Sequence, residues 1–264
     1  MIPKIIHYCW FGQSEMPELS KKCIESWKKY LPDYQIKMWN EDNFKLDMFP
    51  YTREAYESQK FAFVTDVVRL YALYTEGGIY MDTDVEVLQS LDKFLFHVAF
   101  SGFEDDKNVS TGIMASEKRG KWVKDNLENY KARHFIKEDG SFDLTTNVSC
   151  ITSYMLRHGF LQNGKYQDFP NLITIYPKEF FSPKSGFDGE IYLTSNTYTI
   201  HHFSGSWLTR EHLYELEVEK HLSFIPHRLK LYMAKFLSLY KYHGLEYAIK
   251  EIMKWTTKKL FKFV

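Results

Sequence analysis

The chain has 264 residues, with 34 Lys and Arg balancing 34 Asp and Glu, so no net field directs it toward nucleic acid or another polyanion. Apolar residues make up 44% and aromatic residues 17%, which excludes a disordered chain and supports a sizeable core. Cys9, Cys23 and Cys150 are odd in number and lack C-x-x-C spacing, which argues against a disulfide framework or a structural zinc site and for a reducing compartment.

Ile2 to Trp10 is a short apolar run ending at Phe11-Gly12, the pattern of a buried strand that delivers its last residues to a loop. Met1 to His7 lacks the basic and apolar regions of a secretory signal, and no apolar run approaches the ~18 residues of a membrane span. Pro17 suits the first turn of a helix reaching Tyr30, on which Leu19, Cys23, Ile24 and Trp27 recur at helical spacing. Tyr34 to Trp39 follows as a second strand, so the opening is β-α-β with a parallel pair. A helix is predicted from Arg53 to Glu76, stopped by Gly77-Gly78, and Ile79-Tyr80-Met81 is the next strand. Further strands are predicted at Val98–Phe103, Thr111–Ala115, Leu172–Tyr176 and Tyr198–His202, with helices near Lys118–Lys131 and Val148–His158. The class is α/β with a mostly parallel central sheet. One catalytic-sized domain is expected over residues 1–225, followed by a basic helical segment over 226–264.

Ile79-Tyr80-Met81 gives way to Asp82-Thr83-Asp84, placing carboxylates where a buried strand emerges at its carboxyl end, the edge at which open α/β sheets bind ligands. In a strand, spacing of two points both acids to one side, about 7 Å apart. With no basic partner nearby in sequence, a divalent cation is one compensation for their charge, and hard oxygen ligands favour Mg²⁺ or Mn²⁺. Asp66 and Arg69, three apart on the preceding helix, form either an ordinary ion pair or an acceptor and forked donor for a polyhydroxylated ligand. His201-His202-Phe203-Ser204-Gly205-Ser206-Trp207 follows a predicted strand and reads as a closing loop. Adjacent histidines in a strand point to opposite sides, so at most one faces the acids. His7, Trp10, Trp39 and Asn43 fall at two strand ends, where an aromatic ring beside a polar edge suits a nucleobase.

Together, Ile2 to Gly12, Ser26-Trp27, Pro32-Asp33-Tyr34, the block Asp66 to Tyr74 running into Gly77 to Asp84, and His201 to Trp207 resemble glycosyltransferase family 32. That family includes bacterial capsular polysaccharide transferases and fungal initiating mannosyltransferases, and is more distantly similar to the large clostridial glucosylating toxins. The resemblance implies a GT-A (Rossmann-like) fold and a metal-dependent enzyme that transfers a sugar from a nucleotide donor with retention. It implies Asp84 as direct metal ligand, Asp82 as contact to ribose or donor sugar and metal shell, and His202 as a further ligand. Asp66 and Arg69 resemble the donor-sugar pair. Trp10 resembles the base-stacking ring, with His7 and Asn43 beside it, and Ser206 and Trp207 the loop closing over the diphosphate. Mn²⁺ or Mg²⁺ is the implied cofactor. The donor is expected to be a UDP-sugar such as UDP-galactose or UDP-glucose, with GDP-mannose as the alternative. The acceptor is expected to be a hydroxyl of a growing, lipid-linked capsular or surface polysaccharide.

Thr111 to Ala115 and Thr145-Thr146-Asn147 depart from the family pattern on the acceptor side. No carboxylate stands out as a covalent nucleophile, so front-face attack by the acceptor is expected, its proton leaving with the diphosphate. Near the C-terminus, Leu245, Ile249, Ile252, Met253, Leu260 and Phe263 share one side of a helix, and Lys250, Lys254, Lys258 and Lys262 form a cationic stripe. Such a helix either packs on the catalytic domain or lies on an anionic bilayer. Contact with the inner face of the cell membrane is expected, and none with nucleic acid. Two rival readings are a catalytically silent nucleotide- or carbohydrate-binding module and a metal-dependent phosphoester hydrolase, which would release product without an acceptor.

Overall fold

The computed structural model describes residues 1–185, 189–205, 210–222 and 224–260. The chain divides into two compact units, Met1–Ser204 and Gly205–Val264.

The first unit opens as the β-α-β pattern predicts: β1 (Ile5–Cys9), α1 (Glu18–Tyr30) and β2 (Gln35–Trp39), with β1 and β2 parallel. The helix predicted from Arg53 to Glu76 is two helices, α2 (Pro50–Glu57) and α3 (Phe61–Glu76). Between them Gln59 takes a left-handed φ of 56° and Lys60 N–H returns to the Ala55 carbonyl, which ends α2 and turns the chain. β3 (Gly78–Met81) follows and is buried throughout. Gly78, at φ 113°, lies so close to β1 that an added Cβ would sit 2.5 Å from the Ile5 carbonyl oxygen, so a side chain there would force the two strands apart.

Then come β4 (Val85–Val87), β5 (Ala99–Phe103), β6 (Val109–Ser116), α4 (Lys121–Glu128), α5 (Asn147–Leu156), β7 (Gln167–Phe169), β8 (Ile173–Tyr176), α6 (Lys178–Phe181) and β9 (Thr199–His201). Seven strands form one sheet in the order β2-β1-β3-β6-β5-β8-β7. Five point the same way, while β6 and β7 run against them. Two short strands escaped the hydrophobic pattern, β4 and β7, and β9 pairs antiparallel with β4 in a separate two-stranded sheet rather than joining the central one.

Alternation along the central strands sends side chains to two cores. Tyr80 of β3 and Met114 of β6 join the core under α2 to α5, with Val64, Val68, Trp122 and Ile151. Ile79, Met81, Ile113 and Phe100 join the opposite core with Trp27, Val85, Phe94 and Phe181. Both faces of the sheet are therefore covered, and ligand access is left to its edges.

The second unit holds α7 (Arg210–His221), α8 (His227–His243) and α9 (Leu245–Leu260). It begins earlier than the composition break at Pro226, because α7 packs with α8. Among the described residues, no helix is long and apolar enough to cross a membrane.

Candidate active site

The carboxyl ends of β1, β2, β3 and β5 and the start of the antiparallel β6 share one sheet edge. At the end of β3 the chain makes a tight turn rather than continuing as a strand, with Val85 N–H bonded to the Asp82 carbonyl at 3.0 Å. The turn, not strand alternation, brings the two acids together. One ligand atom each from Asp82, Asp84 and His201 lies within 4.8 Å of the others. His201 Nε2 stands 3.3 Å from Asp84 Oδ1 and 4.0 Å from Asp82 Oδ2.

His201 arrives from β9, where it pairs with Val85 of β4. The neighbouring His202 points away and meets Glu86 Oε2 at 2.9 Å, so the candidate ligand is His201 rather than His202. Alternation of successive side chains along the extended chain leaving β9 explains the exchange. Gly112 of β6 makes room for the imidazole: a Cβ there would come within 2.6 Å of both His201 Cε1 and Nδ1. His201 Nδ1 is buried with no hydrogen-bond partner, and the Phe203 ring lies against the imidazole at 4.0 Å.

Behind the acids, Arg69 links them to α3. Its Nη2 is 3.4 Å from both Asp66 Oδ1 and Asp82 Oδ1, Nη1 donates to the Thr111 carbonyl at 2.8 Å, and the guanidinium lies over the Tyr80 ring. Tyr80 Oη also donates to Asp82 Oδ1, at 2.8 Å. Asp82 thus has one oxygen fixed by Arg69 and Tyr80 and the other turned toward His201. The pairing of Asp66 with Arg69 is an intrahelical ion pair and part of the acidic site at once. Asp66 also accepts from the Asn147 N–H at the start of α5 (3.2 Å), while the Asn147 side-chain amide donates to the Asp66 carbonyl and leaves its own Oδ1 buried and unpartnered.

The electrostatics favour a cation. Burial pushes the Asp66 carboxyl up to about 6 despite Arg69. Burial also acts to raise Asp84, but His201 and the Ser204 N–H hold it well below the usual carboxylate range. Burial would lower the His201 imidazole, yet the field of Asp84, Asp82 and Glu104 raises it above its ordinary value. Asp66, Asp82, Asp84 and Glu104 outnumber the Arg69 guanidinium and the His201 imidazole among them. Two oxygens and one nitrogen at this spacing fit a divalent ion of the Mn²⁺ or Mg²⁺ kind, the nitrogen leaning toward Mn²⁺.

The nucleobase expectations fare differently. Trp10 follows β1 at this edge, half-exposed, with its indole N–H donated to the Ser14 carbonyl. His7 is fully buried and both its nitrogens are engaged. Trp39 Nε1 donates to Nδ1 at 3.1 Å, so Nε2 carries the proton and donates to the Gly77 carbonyl at 2.8 Å. It is a core residue tying the middle of β1 to the end of β2 and to the residue before β3, not a ligand contact, because burial favours the neutral ring and the partners use both its donor and its acceptor nitrogen. Asn43 uses its amide to close the turn after β2, accepting from Asn40 N–H and donating to the Met38 carbonyl. Ser206 and Trp207 lie outside the described residues. Glu104 carries no distinguishing signal in the sequence, because the acidic turn Glu104-Asp105-Asp106 disguises its position just after β5.

Residues 17–101, which carry Asp66, Arg69, Asp82 and Asp84, match the family model for a glycosyltransferase sugar-binding region containing a DXD motif. Inositol phosphoceramide mannosyltransferase 2 of Schizosaccharomyces pombe is 33% identical over 120 residues, covering 44% of this chain and 34% of that protein. Mannosyl phosphorylinositol ceramide synthase SUR1 of Saccharomyces cerevisiae is 28% identical over 123 residues, covering 45% of this chain and 32% of that protein. The chain thus spans about a third of the length of these curated relatives. Among solved structures, the PaToxG glycosyltransferase aligns with a TM-score of 0.46 at 19% identity, over 60% of this chain and 69% of that one.

Proposed function

We propose that this chain is a metal-dependent glycosyltransferase that moves a hexose from a nucleoside-diphosphate sugar to a hydroxyl of a lipid-linked saccharide or glycolipid, with retention. The observation that carries the reading is the convergence of Asp82, Asp84 and His201, linked through Arg69 to Asp66, at the ligand-binding edge of the sheet. The matched DXD region supports it. Because one yeast relative is named as an inositol phosphoceramide mannosyltransferase and the other as a mannosyl phosphorylinositol ceramide synthase, GDP-mannose moves ahead of the UDP-sugars as donor.

In this reading Asp84, Asp82 and His201 hold the ion, which when bound supplies Lewis-acid stabilisation of the departing diphosphate. Arg69 fixes one oxygen of Asp82, so the other keeps its aim. Asp66 and Arg69 face the donor's hydroxyls, and Trp10 offers its ring to the base. The buried surroundings exclude water and strengthen each of these contacts. A lipid-linked acceptor also fits α9, where Leu245, Ile249 and Met253 are exposed at four-residue spacing beside exposed Lys250 and Lys254. That face is proposed to rest on the anionic cytoplasmic leaflet, and the acceptor to be a precursor of a surface polysaccharide or glycolipid.

The test is thermal denaturation with GDP-mannose, UDP-glucose and UDP-galactose, with and without Mn²⁺, on the wild type and Asp84→Ala. A donor at 100 times its dissociation constant adds about 2.7 kcal/mol of stability. Stabilisation that needs both Mn²⁺ and Asp84 is expected with one nucleotide family. No stabilisation by any donor would defeat the reading, and metal-dependent release of sugar unchanged by acceptors would favour the hydrolase.

A further inference from the structure

β5 runs in the same direction as β1 and β3, so its carboxyl end opens on the same edge as Asp82, one strand beyond β6. The residue there is Glu104. Two strand spacings, about 9–10 Å, separate the backbones of β3 and β5, so Glu104 lies on the same edge as the cation cluster and is set apart from it by the start of β6. The start of β6, lying between them, supplies the Thr111 carbonyl that holds Arg69 and the Gly112 gap that seats His201.

The turn after β5 is held firmly. Asp105 accepts from the Lys107 and Asn108 backbone N–H groups and from the Asn108 amide, at 2.7–2.8 Å. Glu104 N–H donates to the Asn108 carbonyl. Asp105 is therefore committed to the turn, whereas the half-buried Glu104 carboxyl has no hydrogen bond or ion pair among the described residues. Charged groups facing it are His201, Asp82, Asp105 and Arg69. Burial, reinforced by Asp82 and Asp105 against the opposing pull of His201 and Arg69, pushes its carboxyl up to about 7. A buried carboxyl without a partner is costly, and a hydroxyl brought by a second substrate would satisfy it.

We propose that Glu104 receives the acceptor hydroxyl and takes its proton during transfer. The assignment rests on the glycosyltransferase reading and replaces the expectation that the proton leaves with the diphosphate. The acceptor oxygen forms a bond to the anomeric carbon as the bond from that carbon to the phosphate oxygen breaks. The bonding pair departs with the diphosphate, and the hydroxyl proton passes to the Glu104 carboxylate and then to solvent. Donor binding does not require Glu104.

The experiment compares full-length wild type, Glu104→Gln and Glu104→Asp with Mn²⁺ and GDP-mannose or UDP-glucose. Donor affinity is read by calorimetry and donor turnover as transfer to octyl glycosides or as hydrolysis, water then standing as acceptor. Glu104→Gln is expected to lose about 100-fold or more in turnover with donor affinity within twofold. The acid limb of its pH profile disappears, and Glu104→Asp recovers part of the rate. Turnover of Glu104→Gln within threefold of wild type overturns the assignment, as does donor affinity falling in step with turnover. A wild type that binds no donor defeats the glycosyltransferase reading itself, and this assignment with it.

Discussion

Gly112→Ala tests the site at a residue that bears no chemistry. Its added methyl would lie 2.6 Å from two atoms of the His201 ring, about 0.8 Å inside the 3.4 Å at which ordinary contact begins. The ring has little freedom to yield, since Phe203 lies against it, Asp84 faces its Nε2 and β9 is tied to β4. Relief must come from swinging the imidazole away from Asp82 and Asp84 or from parting β6 and β9. Overpacking of this kind costs about 1–3 kcal/mol of stability. Displacing the nitrogen donor should weaken Mn²⁺ about 10- to 100-fold, by analogy with loss of a supporting contact at a metal centre. Gly102→Ala is the control, because there a Cβ would press Phe181 of the opposite core at 2.9 Å, its nearest neighbours being Phe181 and the Tyr176 carbonyl rather than His201. Calorimetric Mn²⁺ titration of both variants, with urea unfolding in parallel, separates the effects. Equal stability losses with weakened Mn²⁺ binding in Gly112→Ala alone are expected. An unchanged Mn²⁺ affinity in Gly112→Ala would refute the claim that His201 is placed by this gap.

His201→Ala should abolish Mn²⁺-dependent stabilisation while His202→Ala retains it; the reverse order would return the ligand role to His202. His7 is held neutral by burial, with its folded pKa below the ordinary 6.5, so its contribution is intact above that value and lost as pH falls through and below it. Urea denaturation at pH 7.5 and 5.5 should therefore show a smaller acid loss in His7→Gln than in wild type, and parallel losses would exclude His7 as a source. Replacing Ile249 and Met253 together by Glu should reduce sedimentation with phosphatidylserine vesicles at least tenfold, whereas binding equal to wild type would detach α9 from the bilayer.

Much of the first unit was legible because its elements are local and strongly patterned. The apolar run to Cys9, the helix ending at Tyr30 and the glycine stop before β3 each follow from neighbours in sequence. The acids were found for the same reason, as polar residues abruptly ending a buried strand. What stayed hidden depends on partners far along the chain. Val85-Glu86-Val87 is too short to read as a strand until Thr199 to His201 lies beside it, and that pairing selects which histidine faces the acids. The antiparallel course of β6 could not be inferred from its apolar run, although it is what brings Thr111 and Gly112 to the site edge. His7 and Asn43 looked like ligand contacts because polarity at a strand end has the same signature whether it meets a substrate or, as here, the backbone of a neighbouring turn.

Asp84 accepts the His202 N–H on its backbone carbonyl and the Ser204 N–H on its side chain, across about 120 intervening residues. Contacts of such high sequence separation must meet the loop-closure entropy before they stabilise the chain, which slows folding. A nascent chain that has emerged only through the DXD turn holds the acids without the imidazole, and its Asp84 has nothing to orient it. On the proposed reading, the complete Asp82, Asp84 and His201 cluster is therefore withheld until residue 204 has been synthesised and docked. Fragments ending within the matched 17–101 region should carry the signature and none of the proposed activity, and any circular permutation of this protein must keep the 84–204 clasp whole.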